Sequence, residues 1–138
     1  MSEFNKQLVR RLYEEVENQL KLDVADELIA PEFKDTINSA APFPVVGVDG
    51  IKKLAQALHD AFDMHLTVED LIAEGDRVVA RISGTVTHKI PMFGVAPTGK
   101  KMPTNGVEIW RVANGKLAER WVFIDMIATM QHLGAVPH

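Results

Sequence analysis

Residues 106–134, which read GVEIWRVANGKLAERWVFIDMIATMQHLG, decide the fold of this 138-residue chain. Residues 106–112 predict a strand, because β-branched and aromatic side chains dominate them. Asn114 and Gly115 follow, the dipeptide that a type I′ hairpin prefers because both central residues need a positive φ. Residues 117–124 then predict the returning strand, and residues 125–133 a short C-terminal helix that ends at Gly134.

Upstream of the hairpin, the sequence also has the two-residue periodicity that is typical of β-strands. Residues 78–88 predict a long strand, and residues 66–70 alternate in a way that predicts its partner across a turn at residues 73–76. Residues 90–103 contain three prolines and two glycines, which predicts a long connection. These segments together indicate an antiparallel sheet joined by hairpins.

The first half of the chain has helical periodicity instead. Apolar residues recur every four positions over residues 3–20, which predicts a long amphipathic helix. A short second helix is predicted to end at Pro31, and a third begins at Asp49 and runs to Phe62. Between them, residues 33–37 predict a short extended piece followed by a loop. The order predicts one α+β domain over residues 1–138, with three N-terminal helices packed on one sheet face.

Composition limits the function classes. The net charge is −4, which gives no reason to expect nucleic acid or an anionic membrane as a partner. Without cysteine, disulfides and thiolate chemistry are excluded. The first residues contain no apolar run of signal-peptide length, so we expect a cytoplasmic protein. Residues 94–101 approach a phosphate-binding loop, but Lys101 stands where Ser or Thr is required. We therefore expect no cofactor and no metal.

The strand at residues 121–127 is apolar at both parities, WVFIDMI. A strand with one solvent-exposed face would alternate more clearly. Both faces should therefore be covered, one by the helices and the other by a second copy of the chain. This predicts a homodimer formed through the sheet.

Asp125 is the first candidate for chemistry. It lies at the parity of Trp121 and Phe123, so if those rings face the helices, its carboxyl is buried as well. Burial would raise the pKa of that carboxyl toward the range useful for proton transfer. The alternative is that Asp125 only caps the C-terminal helix by accepting from backbone amides.

The stretch 106–134 resembles the SnoaL-like polyketide cyclase family of the NTF2-like superfamily. The resemblance rests on the aromatic-Arg-Val strand end, the Asn-Gly hairpin, and the spacing from Trp121 through Asp125 to Gln131-His-Leu-Gly134. LVRRLYEEVENQ, ELIAPEF, VEDLIAEGDRVVARISGT and APTGKKM resemble the same family. The likeness thus covers nearly the whole chain.

The resemblance implies a cone of curved antiparallel sheet and helices around a deep apolar pocket, usually in a homodimer. It implies that Asp125 is the general acid/base of an intramolecular aldol closure, without a cofactor. A single carboxyl poised near neutrality can remove and return the proton in such a reaction. The expected substrate is hydrophobic and carbonyl-bearing. The residues expected to bind it are Tyr13, His88, Asn105, Glu108, Trp110, Trp121, Phe123 and Met126.

The chain also departs from the family pattern. Many relatives carry a histidine where Lys34-Asp35-Thr36 stands here, and another at the position of Val86, a place that His88 could fill. Two other functions therefore stay open. One is water activation of the epoxide hydrolase type, with Arg81 or His88 close to Asp125. The other is a non-catalytic domain that binds a small molecule.

Overall fold

The computed structural model describes residues 2–38 and 40–135. In chain order the elements are α1 (Ser2–Arg11), a π-helical segment (Leu12–Glu17), a 3₁₀ turn (Leu22–Val24), α2 (Ala25–Leu28), β1 (Ile29–Asn38), α3 (Gly47–Phe62), β2 (His65–Glu74), β3 (Arg77–Thr87), β4 (Lys101–Ala113), β5 (Lys116–Ile124) and α4 (Met126–His132). The predicted α+β class is confirmed, with helices packed on a curved sheet that does not close.

The five strands form one sheet in the order β1-β5-β4-β3-β2. Neighbours from β2 to β5 pair antiparallel, as hairpin connections require. The sheet is nevertheless mixed, because β1 pairs parallel with β5. The short extended piece predicted at residues 33–37 is thus part of a ten-residue strand, which adds one parallel pairing to the expected antiparallel sheet.

The predicted hairpin between β4 and β5 is confirmed. Asn114 and Gly115 have φ values of 53° and 75°, the positive pair that a type I′ turn requires. The strand before the turn begins five residues earlier than predicted, at Lys101, and pairs with β3 along its whole length. This long pairing carries Thr104, Asn105, Gly106 and Glu108 to positions where they help to form a cavity.

The first predicted helix is present but not regular. After Arg11 the chain passes into the π-helical segment, in which the backbone N–H of Asn18 donates to the carbonyl of Tyr13. The Asn18 side chain then fixes the end of this helix to β2. Its Nδ2 donates to the carbonyl of Leu66, and its Oδ1 accepts from the backbone N–H of Leu66.

The core lies between the helices and the inner face of the sheet. Val9, Leu12 and Val16 come from the first helix, Ile51 and Leu54 from α3, and all are at most 2% exposed. The facing strands contribute Val78, Ala80 and Trp110 to this core. Within the described ranges, no helix is both long enough and apolar enough to span a membrane.

The inner face of β5 is formed by the alternate positions that include Arg120 and Val122, and not by those that include Trp121 and Phe123. Arg120 and Val122 are buried, whereas Phe123 is 49% exposed on the outer face. The expectation that Trp121 and Phe123 face the helices is therefore wrong. Because the strand is apolar at both parities, alternation could not assign its faces, and a shift of one residue reverses every side chain.

Candidate functional site

A chamber of about 250 Å³ lies between α3 and the inner face of the sheet. Its wall is mainly apolar. The apolar lining includes Leu54, Leu58, Phe62, Met64, Ile82, Val86, Met92, Val122, Ile124 and Met126. Gly106 also lines the chamber, and a Cβ there would lie 2.7 Å from the carbonyl oxygen of Phe123, so this position needs glycine. A mainly apolar lining with a few polar groups is typical of sites that bind small molecules.

Charged groups lie together at one end of the chamber, which we call the floor. Among the described lining residues, the charged ones are Glu17, Glu108 and Arg120. Arg120 is 2% exposed and Glu17 7%, so both groups are removed from bulk water. A buried charge is costly unless it is paired, and the floor is built around such pairing.

Arg120 is the centre of the floor. Its Nε and Nη2 each donate to one oxygen of Asp35 at 2.6 Å, a bidentate ion pair. Its Nη1 donates to Glu108 Oε1 at 3.1 Å and to Glu17 Oε1 at 3.4 Å. One guanidinium thus contacts three carboxyl groups that come from three different elements.

Two aromatic side chains, Tyr13 and Trp110, support Glu108 through a chain of hydrogen bonds. The Tyr13 hydroxyl donates to Glu108 Oε1 at 2.6 Å and accepts from Trp110 Nε1 at 2.9 Å. The Arg120 guanidinium lies over the Trp110 ring, 4.8 Å from its centroid. Both rings are fully buried, so this chain of hydrogen bonds fixes the Glu108 carboxyl in one orientation.

Strand register brings these residues together. Trp110 pairs with Arg120, and Arg120 pairs with Asp35, so the three lie side by side across β4, β5 and β1. The register of β1 shifts between Asp35 and Ile37. Such a bulge reverses the alternation of side chains, which leaves Asp35 and Asn38 inward and Ile37 outward.

Burial and the closeness of several carboxyl groups shift the pKa values of the floor residues. Burial and the neighbouring Glu108 raise the pKa of Glu17 to about 8, against the opposing effect of Arg120. Burial also raises the pKa of the Tyr13 hydroxyl well above its ordinary value, with Glu108 adding to the shift. Burial disfavours the charge on Arg120, but Glu108, Asp35 and Glu17 outweigh it and raise the pKa of Arg120. These shifts favour a protonated Glu17 beside a charged Arg120.

Asp125 is not where the sequence predicted it. It is exposed, and it forms the N-cap of α4, where its Oδ1 accepts from the backbone N–H of Ala128 at 3.0 Å. The prediction of a buried Asp125 carboxyl is wrong, because β5 presents the other parity to the helices. The alternative considered from the sequence, a helix cap, describes its observed contact. Its neighbour Met126 does line the chamber.

The other predicted binding residues fall into three groups. Asn105, Glu108 and Met126 line the chamber, while Tyr13 and Trp110 lie behind it and contact Glu108. Trp121 and Phe123 lie on the outer face of the sheet.

His88 is fully buried and bonds Thr98 across the base of the loop between β3 and β4, and it is not among the described lining residues. Arg81 pairs with Asp70, an exposed residue of β2, so neither partner proposed for Asp125 makes a hydrogen bond or ion pair with it.

Sequence reasoning missed Glu17, Asp35 and Arg120. Glu17 looked like part of the solvated side of the first helix, although it lies four residues after Tyr13 on the apolar stripe. Arg120 shares the parity of Val122 and Ile124, which was the available signal for an inward arginine. Asp35 lies within residues 33–37, for which only a short extended piece was predicted. Within the described residues, no group of three or more His, Asp and Glu side chains is arranged to hold a metal ion.

The fold and the chamber place this chain in the NTF2-like class, whose solved structures it matches closely. More narrowly, the chain belongs to the SnoaL-like polyketide cyclase family, whose sequence profile matches residues 7–133. No match was found among the curated proteins.

Three solved structures illustrate the likeness. A putative polyketide cyclase from Acidithiobacillus ferrooxidans is 25% identical, with a TM-score of 0.82 over 97% of this chain and 96% of that one. IdmH, a putative polyketide cyclase from Streptomyces antibioticus, is 29% identical, with a TM-score of 0.80 over 94% and 98%. AclR, a putative hydroxylase from Streptomyces galilaeus, is 30% identical, with a TM-score of 0.77 over 97% and 87%.

Proposed function

We propose that this protein is a cofactor-independent enzyme that moves protons on a hydrophobic, carbonyl-bearing small molecule, in an aldol-type cyclisation or an isomerisation. The observation that carries the proposal is the Glu17 carboxyl at the floor of an apolar chamber, held beside Glu108 by one nitrogen of Arg120. Membership in the SnoaL-like polyketide cyclase family supports the same class of reaction.

The chemistry divides between two carboxyl groups. The protonated Glu17 donates a hydrogen bond to a carbonyl oxygen of the bound molecule and stabilises the negative charge that develops there. The Glu108 carboxylate accepts the proton from the adjacent carbon. Both observed hydrogen bonds to Glu108 end on Oε1 and hold it in place. A protonated carboxyl and a neighbouring carboxylate can act as acid and base in this way.

Hydrogen–deuterium exchange tests this proposal without knowledge of the natural substrate. The protein is incubated in D₂O with a panel of apolar aryl ketones and 1,3-diketones, and loss of the proton next to the carbonyl is followed by NMR. We expect wild-type protein to accelerate the exchange and Glu17→Gln to lose about 10²–10⁴-fold of that rate. Glu14→Gln is the matched control, because Glu14 is an exposed glutamate of the same helical segment.

The same assay decides between Glu17 and Asp125. The family resemblance predicts Asp125 as the general acid/base, and Asp125→Asn keeps the helix cap while it removes the ionisable group. If Asp125→Asn loses the exchange rate and Glu17→Gln keeps it, proton transfer belongs to Asp125. If no ketone exchanges faster than in buffer, the remaining candidates are water activation of the epoxide hydrolase type and a non-catalytic domain that binds small molecules.

A second candidate function is water activation of the epoxide hydrolase type. The observation that favours it is the grouping of Glu17, Arg120 and Glu108 around one point of the chamber, since several converging polar groups are needed to hold a water. Glu17 would protonate the epoxide oxygen while Glu108 deprotonates the water. Incorporation of ¹⁸O from labelled water into a diol product, with no exchange on the ketones, would select this function.

We also propose that the protein acts as a homodimer formed through the outer face of the sheet. Ile37, Val107 and Phe123 are 44%, 37% and 49% exposed on this face. The register places Val107 opposite Phe123 and Ile37 opposite Trp121, so these side chains form one continuous apolar patch. A patch of this kind is typical of a surface that another protein covers.

A further inference from the structure

The floor of the chamber has an excess of negative charge. Four charged or ionisable groups meet there, the three carboxyls of Glu17, Asp35 and Glu108 and the single guanidinium of Arg120. With Glu17 protonated, the group as a whole carries one negative charge. With Glu17 ionised, it carries two.

Arg120 lines the chamber, but its nitrogens are occupied by carboxyl groups of the protein. Two of its three nitrogens bond both oxygens of Asp35, a group that does not line the chamber. The third nitrogen is shared between Glu108 and Glu17. A bound molecule therefore meets two carboxyl groups at the floor, and each nitrogen of the guanidinium that would attract an anion already donates to a carboxyl group.

We infer that the chamber selects its ligand by the charge of the group that reaches the floor: it takes apolar molecules that end in a protonated amine and excludes those that end in a carboxylate. The ammonium donates hydrogen bonds to Glu17 and Glu108, and the apolar body packs against residues such as Leu58, Ile82 and Val122. The inference rests on the proposed function, because it concerns the same chamber. It predicts that the carbonyl-bearing substrate has no carboxylate at the end that reaches the floor.

Binding of an amine should release a proton. The groups that face Glu17 are Tyr13 on its own helix, Glu108 on β4, Arg120 on β5 and Asp35 on β1. The chamber residues of α3, which packs against this segment, are apolar. An ammonium beside Glu17 adds a positive charge, which favours the ionised carboxylate, so the Glu17 proton passes to the buffer.

Calorimetry with three ligands of one shape tests the inference. Cyclohexylmethylamine, cyclohexylmethanol and cyclohexanecarboxylate differ mainly in the charge of the head group. At pH 7 we expect the amine to bind at least about tenfold more tightly than the carboxylate, with the alcohol between them. Titration of the amine in two buffers of different ionisation enthalpy should detect the released proton. A carboxylate that binds as tightly as the amine, or no binding by any of the three, would overturn the inference.

Substitutions at the floor test whether its carboxyl groups cause the selectivity for amines. In Glu17→Gln we expect amine affinity to fall about tenfold and proton release to disappear, while the alcohol binds as before. Glu14→Gln should behave as wild type. Glu108→Gln provides a second test, with the same expected loss of amine affinity, should Glu17→Gln not fold. Unchanged amine affinity in the folded variants would contradict the assignment. This outcome is distinct from failure of the proposed function, because ketone exchange does not depend on amine binding.

Discussion

Arg120 and Asp35 form a bidentate ion pair, with both N–O distances at 2.6 Å and both side chains 2% exposed. The pair joins β5 to β1, the two strands that run parallel in an otherwise antiparallel sheet. Replacing such a pair with apolar residues can be neutral, but removing one partner leaves an uncompensated buried charge. Arg120 is therefore the residue on which the stability of the floor and the proposed proton transfer both depend.

The first prediction concerns the removal of Arg120. Arg120→Met should lower the free energy of unfolding by about 3–5 kcal/mol, because Asp35 and Glu108 lose the cation that compensates their burial. Urea denaturation measures this. Arg81→Met is the matched control, since Arg81 also has a 2.6 Å partner but is exposed, and we expect it to leave the denaturation midpoint close to wild type. Equal midpoints for the two variants would contradict a structural role for the buried pair.

The pH dependence of stability provides the second prediction. Glu17 has a pKa of about 8 in the folded protein, against an ordinary value of 4.5. Between these values the folded protein binds a proton that the unfolded chain has released. The stabilisation from Glu17 is therefore complete below about pH 4.5 and is lost as the pH rises through about 8, on the order of 1 kcal/mol per pH unit within that window.

Urea midpoints at several pH values check this shift. We expect the free energy of unfolding of wild-type protein, relative to Glu17→Gln, to fall steadily from pH 5 to pH 8. Glu14→Gln controls for the general effect of replacing a glutamate, since Glu14 is exposed. If wild type and Glu17→Gln changed in parallel with pH, the Glu17 carboxyl would have an ordinary pKa in the folded protein.

The fold could be predicted further than the site. The Asn-Gly turn and the helical stripe are local patterns, and the structure confirms both. The faces of β5 could not be assigned, because its residues are apolar at both parities. Asp35 reaches the floor only through parallel pairing and a bulge, both of which depend on contacts between distant parts of the chain.

Glu17 shows the same limit on a helix. Its charged neighbours in the sequence indicated a solvated side, although its spacing from Tyr13 places it on the apolar stripe. The π-helical segment and the inward Arg120 instead hold it at the floor. Glu108 and Tyr13 were expected near the site from the family resemblance, but their mutual hydrogen bond, which joins residues 95 positions apart, could not be predicted.

The third prediction tests the hydrogen bonds behind Glu108. Tyr13→Phe removes the hydroxyl that joins Trp110 to Glu108 and leaves the indole N–H buried without a partner. We expect a loss of about 1–3 kcal/mol in the free energy of unfolding. A double-mutant cycle with Glu108→Gln measures the coupling. Purely additive effects would mean that the Tyr13 hydroxyl does not stabilise Glu108.

The fourth prediction concerns the outer face of the sheet. Phe123→Lys should shift the proposed dimer toward monomer, because a lysine in the centre of an apolar patch must be desolvated for association. Sedimentation velocity at several protein concentrations measures the change. Phe4→Lys is the control, since Phe4 is similarly exposed but lies on α1. A wild-type protein that sediments as a monomer at every concentration would contradict the proposed assembly.

The last prediction separates the two roles of Asp125. As the N-cap of α4, its carboxyl accepts from the Ala128 backbone N–H, a bond that an asparagine side chain can also accept. Asp125→Ala should therefore cost about 1 kcal/mol of unfolding free energy, while Asp125→Asn should cost only a few tenths. Thermal and urea denaturation of the two variants measure this difference. If Asp125 acts only as a helix cap, both variants should keep the ketone exchange rate of wild type, because neither alters Glu17 or Glu108. A loss of rate in Asp125→Asn without a loss of stability would return the proton-transfer role to Asp125.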